Sequence, residues 1–152
     1  NFNFYYYVKD LMFTKKYEEQ LASWKEFRDS LETADEPFEQ VIDFYKQEPK
    51  TSITCDPWDQ KAWLGPWELL RENCYCDFGT VLGMAYSLQL TDRFAGSEFE
   101  IHISTNRKQS ETHYLLVVDK STVVGYNGEV VSHEELPDAL HSQRVYHLQE
   151  QQ

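Results

Sequence analysis

Two thiols, Cys74 and Cys76, stand directly before the small, apolar run from Asp77 to Leu88, and the composition of that run predicts a buried helix from Cys76 to about Leu90. The first turn of a helix presents unpaired N–H groups and the positive end of the peptide dipoles. A cysteine there is biased toward thiolate, the form that attacks carbonyl carbon. His113 opens the β-prone run His113-Tyr114-Leu115-Leu116-Val117-Val118, and Asn127 closes the next one, Thr122-Val123-Val124-Gly125-Tyr126-Asn127. A cysteine, a histidine and a polar third residue in that order suggest acyl-transfer chemistry.

The elements that must bring these residues together can be read from local pattern. If Asp119-Lys120-Ser121 form a three-residue hairpin loop, Val118 faces Thr122 and His113 lies opposite Asn127. Directly opposed residues have Cβ atoms about 5 Å apart, near enough for a carboxamide to orient an imidazole. A two-residue loop slips the register and loses the pair. Asn127-Gly128 is itself a strong turn signal, ahead of Glu129-Val130-Val131.

Upstream, Phe2, Phe4, Tyr6 and Val8 alternate in an aromatic segment, a strand or an arm over residues 1–12. A helical pair is expected over residues 14–49. Tyr17, Leu21, Trp24 and Leu31 recur at helical spacing in the first helix. In the second, Asp35 is placed as N-cap, Pro37 in the first turn, and Phe38, Val41, Ile42 and Tyr45 on one face. The stretch from Thr51 to Leu64 has no clean period and reads as a loop anchored by Trp58 and Trp63; Pro66 then starts a short helix carrying Trp67. Gly79 and Gly83 share a helix face at roughly 1 kcal/mol each against Ala, which implies close approach by a neighbouring element. Phe99, Ile101 and Ile103 alternate with Glu98, Glu100, His102 and Ser104, the pattern of a half-buried antiparallel strand. Ser132-His133-Glu134-Glu135 has the form of a capping box, and Arg144 to Leu148 supplies a last strand.

At 152 residues, 41% of them hydrophobic, the chain suits a single domain over 1–152. Its formal charge of −12, with no basic cluster, argues against direct binding to a phosphate backbone. An acidic mimic of DNA rests on charge alone and ranks last. The apolar runs are too short to span a membrane. Aromatics reach 15%, with four Trp and ten Tyr, so a protein partner is expected at Phe4, Tyr6, Trp58, Trp63 and Trp67, and oligomers are open to it. Cys55, Cys74 and Cys76 cannot all pair within one chain, and nothing resembles a secretory signal; a reducing intracellular setting is expected. No cofactor or metal is expected, because Cys74-x-Cys76 lacks the usual Cys-x-x-Cys bite for zinc.

The order and layout from about residue 73 to 131 resemble transglutaminase-like and papain-like cysteine enzymes, in which a cysteine begins a buried helix and His and Asp or Asn follow on neighbouring strands. The resemblance implies an α+β fold, with N-terminal helices and a buried helix packed on an antiparallel sheet, its transglutaminase-like core spanning 65–148. It also implies Cys76 as nucleophile, His113 as base and Asn127 as orienting residue in acyl transfer or amide hydrolysis. The chain departs from the family where Gly79 stands three after the cysteine, in place of an aromatic or apolar residue, and in having Asn rather than the commoner Asp. A looser likeness, carried by Trp63-Leu64-Gly65-Pro66-Trp67-Glu68-Leu69-Leu70, Tyr75-Cys76-Asp77-Phe78 and Leu88-Gln89-Leu90-Thr91-Asp92-Arg93-Phe94, is to uncharacterised proteins of tailed bacteriophages. It implies a virion or assembly component, in the particle or the host cytoplasm.

Each of these residues also has a structural reading. The cysteines can be small buried hydrophobes, His113 a partly exposed polar residue, Asn127 a turn former, and Asp92 with Arg93 a solvated pair. Two functions are therefore carried forward: a non-enzymatic interaction or assembly protein, and a cysteine-dependent acyl transferase or amide hydrolase.

Overall fold

In the computed structural model, which describes residues 16–46, 56–73 and 75–149, the helical spacing upstream becomes two helices adjacent in sequence, α1 (Tyr17–Leu31) and α2 (Pro37–Tyr45). Trp24, Phe27 and Leu31 bury one face of α1, and Phe27 stacks on Phe44 of α2 with ring centroids 3.7 Å apart. Pro37 opens α2 as expected, but the N-cap is Glu36 rather than Asp35, and its side chain makes no capping bond. Proline fixes the φ of the first helical residue, which starts the helix without a side-chain acceptor.

A 3₁₀ turn (Gln60–Ala62) capped by Asp59 leads to α3 (Pro66–Glu72), where the Glu68 carboxylate accepts the Gly65 N–H at 3.4 Å. Asn73, in the left-handed region at φ 49°, ends α3 and turns the chain toward α4 (Asp77–Gln89). From Val81 to Gln89 every side chain of α4 is buried, so it is the central helix of the core.

Five antiparallel strands follow: β1 (Phe99–Asn106), β2 (Glu111–Val118), β3 (Thr122–Tyr126), β4 (Glu129–Ser132) and β5 (Leu140–His147), in the order β4-β3-β2-β1-β5. The fold is α+β, with the helices on one face of the sheet. Phe99, Ile101, Leu116, Val118 and Val124 join the helices in the main core. Each large apolar side chain fully buried there contributes about 1.5–3 kcal/mol relative to exposure. A smaller cluster of Leu115, Val117 and Val123, with Leu136 and Leu140 against it, lies on the second face. Because β4 and β5 stand at opposite edges, residues 133–139 must cross the sheet, and they cross over this second face. The Ser132 capping box forms there as expected, with Glu135 Oε1 accepting the Ser132 N–H at 3.0 Å.

One expectation changes. The polar alternates of β1 do not face water: Glu100 is 7% exposed and Ser104 2%, because the crossover roofs the second face. Asp92 and Arg93 are both exposed, as expected, but their bonds run to the end of α1: the Arg93 guanidinium donates to Leu31 O (3.0 Å) and Ala34 O (2.7 Å), while the Glu32 carboxylate accepts the N–H groups of Asp92 (2.8 Å) and Arg93 (2.9 Å). This reciprocal clasp satisfies carbonyls left over at the end of α1. Among the described residues, no helix is long and apolar enough to cross a membrane.

Candidate functional site

Cys76 is the N-cap of α4, with φ −78° and ψ 174°, and its Sγ accepts the Gly79 N–H at 3.2 Å. The thiol therefore meets the helix N-terminus as the sequence pattern predicts. It is also sealed, being 4% exposed within the main core. The sheet residue facing it is Tyr114, whose ring lies edge-on to Phe78 at 5.4 Å. Burial pushes the Tyr114 hydroxyl above the ordinary tyrosine range, and the charges of Cys76 and Asp77 add to the effect.

His113 precedes Tyr114 in β2, so its side chain leaves the opposite face of the sheet. There it lies 3.4 Å from Glu111 Oε2 and 5.5 Å, ring to ring, from Tyr126. Its buried Nε2 has no well-aligned hydrogen bond. The β2–β3 hairpin has the three-residue loop expected, with pairs Val118↔Thr122, Val117↔Val123 and Leu116↔Val124. The β2–β3 pairing ends at Val124; Gly125, whose φ of 102° suits glycine, marks the register shift of β3 against β4, and the ring of Tyr126 lies against His113. Asn127 (φ 50°) and Gly128 (φ 77°) form the tight turn into β4.

The structure thus places Cys76 on the helix side of the sheet, His113 on the other side and Asn127 in a turn. The three do not meet, and among the described residues none is shown beside the thiol as the base that the acyl-transfer reading requires. Cys55 and Cys74 lie outside the described residues, and among the described residues no group of His, Cys, Asp or Glu is arranged to hold a metal.

The aromatic candidates divide in the same way. Phe4 and Tyr6 lie outside the described residues. Trp63 is a structural anchor: its indole packs on Phe78 at 4.9 Å and Tyr146 at 4.8 Å, and its Nε1 donates to Asp56 O at 3.1 Å. Trp58 is 53% exposed, yet its backbone is held at both ends: its N–H donates to Asp56 Oδ1 (2.9 Å) and its carbonyl accepts the Tyr146 hydroxyl (2.9 Å). Trp67, 41% exposed, stands edge-on to buried Trp24 at 5.4 Å.

Around Trp67 lies a group the sequence reading did not single out. The Arg28 guanidinium sits 4.5 Å over the Trp24 ring and 5.9 Å from that of Trp67, and Arg71 sits 4.8 Å over Tyr17. Burial holds Arg28 below the usual arginine range, and its Nε has no hydrogen-bond partner among the described residues. The sequence signal was present as Trp24 and Arg28 four apart on one helix, a spacing that stacks the two side chains. Compared with known protein families, with curated proteins and with solved structures, the chain finds no match in any of the three.

Proposed function

We propose that this chain is a non-enzymatic interaction or assembly protein, built on a transglutaminase-like scaffold whose cysteine chemistry has lapsed, and that it docks a protein partner through the surface around Trp67. The observation that carries the reading is the Trp67–Trp24–Arg28 arrangement. A rigid indole stands half in water beside a guanidinium that is desolvated and parked on a ring. Tryptophan, tyrosine and arginine are the residue types that dominate binding energy at protein interfaces, and here they are already ordered, so little entropy is lost on docking. The separation of Cys76 from His113 supports the same reading by leaving the acyl-transfer alternative without its base. The setting that fits the second resemblance is a tailed-phage particle or its host's cytoplasm.

A photo-crosslinking residue at position 67, in the cell that makes the protein, tests the proposal. A discrete crosslinked protein is expected, its yield falling when Arg28 is changed to Ala in a protein that remains folded. A strictly monomeric protein that yields no crosslinked product overturns it.

A further inference from the structure

The second face of the sheet carries a polar strip on its second strand from the β5 edge, β1. Glu100, His102, Ser104 and Asn106 all point to that face and are all substantially buried, although burying polar groups is costly unless they are bonded. Asn106 is accounted for locally, its Oδ1 accepting the N–H groups of Lys108 (3.0 Å) and Gln109 (3.2 Å) in the turn to β2. Glu100 and His102 are not part of a turn. Glu100 Oε1 lies 3.2 Å from His102 Nε2, and Oε2 lies 3.5 Å from His147 Nδ1.

That pairing fixes what His102 offers. When the carboxylate is ionised it only accepts, so the His102 nitrogen facing it donates; in the tautomer that satisfies this bond, Nδ1 is left as an acceptor. His102 lines a cavity of about 400 Å³ under the crossover, within the roughly 300–1,000 Å³ of small-molecule sites. The strand register sets the floor: His102 pairs with Leu115, and Ser104 pairs with Ser142. His133 and Leu136 close over it from the crossover, with the His133 ring 6.2 Å from that of His102. Glu134 and Asp138 are exposed at the mouth, and among the described residues lining the cavity none is Lys or Arg.

We propose that this cavity is a binding site for a small molecule with a cationic, hydrogen-bond-donating amine head and an apolar body. Acceptors at the base, apolar walls of Leu115, Leu136 and Leu140, and two carboxylates at the mouth suit a donor cation and repel a carboxylate of the same size. The site shares no residue with the surface around Trp67, so either can fail alone.

Histidine side-chain NMR of the whole protein tests it, with 2-phenylethylamine as probe and 3-phenylpropionate as its anionic counterpart. Saturable shifts at His102 and His133 are expected with the amine and not with the acid. Ser142→Trp, which fills the cavity from the exposed edge strand, should abolish them, and His102→Phe should weaken binding about tenfold through loss of a charge-assisted hydrogen bond. The proposal is overturned if the amine gives no saturable shift, if the acid binds as well, or if Ser142→Trp leaves the titration unchanged. Should His102→Phe fail to fold, Ser142→Trp still decides the matter.

Discussion

Tyr45 lies across the backbone of Gly83: a Cβ placed at position 83 would stand 2.6 Å from its Cε1 and 2.8 Å from its Cζ. The ring has nowhere to retreat. Its hydroxyl is 3.0 Å from Ser87 Oγ, which also accepts Trp24 Nε1 at 2.9 Å and donates its own proton to Gly83 O at 2.8 Å. At Gly79, by contrast, the nearest atom to such a Cβ is Cys76 Sγ at 3.6 Å, an ordinary contact. Gly83→Ala is therefore expected to destabilise by about 1–3 kcal/mol through overpacking. Gly79→Ala should be neutral or stabilising by up to about 1 kcal/mol through helix propensity. Urea denaturation of the two variants checks the contrast, and equal effects would refute it.

The clasp between Glu32 and Arg93 ties the end of α1 to the loop after α4. Arg93→Ala removes the Nη1 donor to two carbonyls, at an expected cost of about 1–2 kcal/mol, and Arg93→Lys should recover only part of it, because Nη1 makes both bonds from a planar group whose N–H directions are fixed, and a rotating ammonium on a shorter stem does not hold them. A lysine variant as stable as the parent in thermal or urea unfolding would show that only the charge matters.

Much of this architecture was legible because it is local. Proline at the start of α2 and α3, the Ser132 capping box, the three-residue hairpin loop and the Asn127-Gly128 turn are each decided by neighbours in sequence. The candidate triad depended instead on a register persisting past Gly125. A glycine inside a β-branched run is a signal for a bulge, and one inserted residue moves every later side chain. The face on which His113 lies relative to α4, and the crossover that buries Glu100, follow from strand order, which no window of sequence contains. Hence the thiol's place at a helix start could be read directly, while its separation from the imidazole could not.

Tyr114 makes stability depend on pH. Its folded-state pKa is raised above the ordinary 10.0, chiefly by burial, so the native state holds this proton more tightly than the unfolded chain does. The associated stability is fully present below 10.0 and is lost as pH rises above it through the folded value. Tyr114→Phe has no proton to lose. Its unfolding midpoint in urea should fall less than that of the parent across the alkaline range, and parallel curves would exclude the contribution.

Cys76 is expected to behave as a helix cap rather than as a nucleophile. In a Cys74→Ala background, iodoacetamide should modify Cys76 only when urea opens the core, since the residue is 4% exposed and its sulfur already accepts the Gly79 N–H. Cys76→Ser keeps an acceptor at the N-cap, whereas Cys76→Ala removes it and should cost about 1 kcal/mol. His113→Ala should leave the labelling rate of the native protein unchanged, because the sheet stands between the two side chains. Peptide mapping after timed labelling reads all three outcomes. Rapid modification of native Cys76 that slows on loss of His113 would favour the acyl-transfer alternative instead.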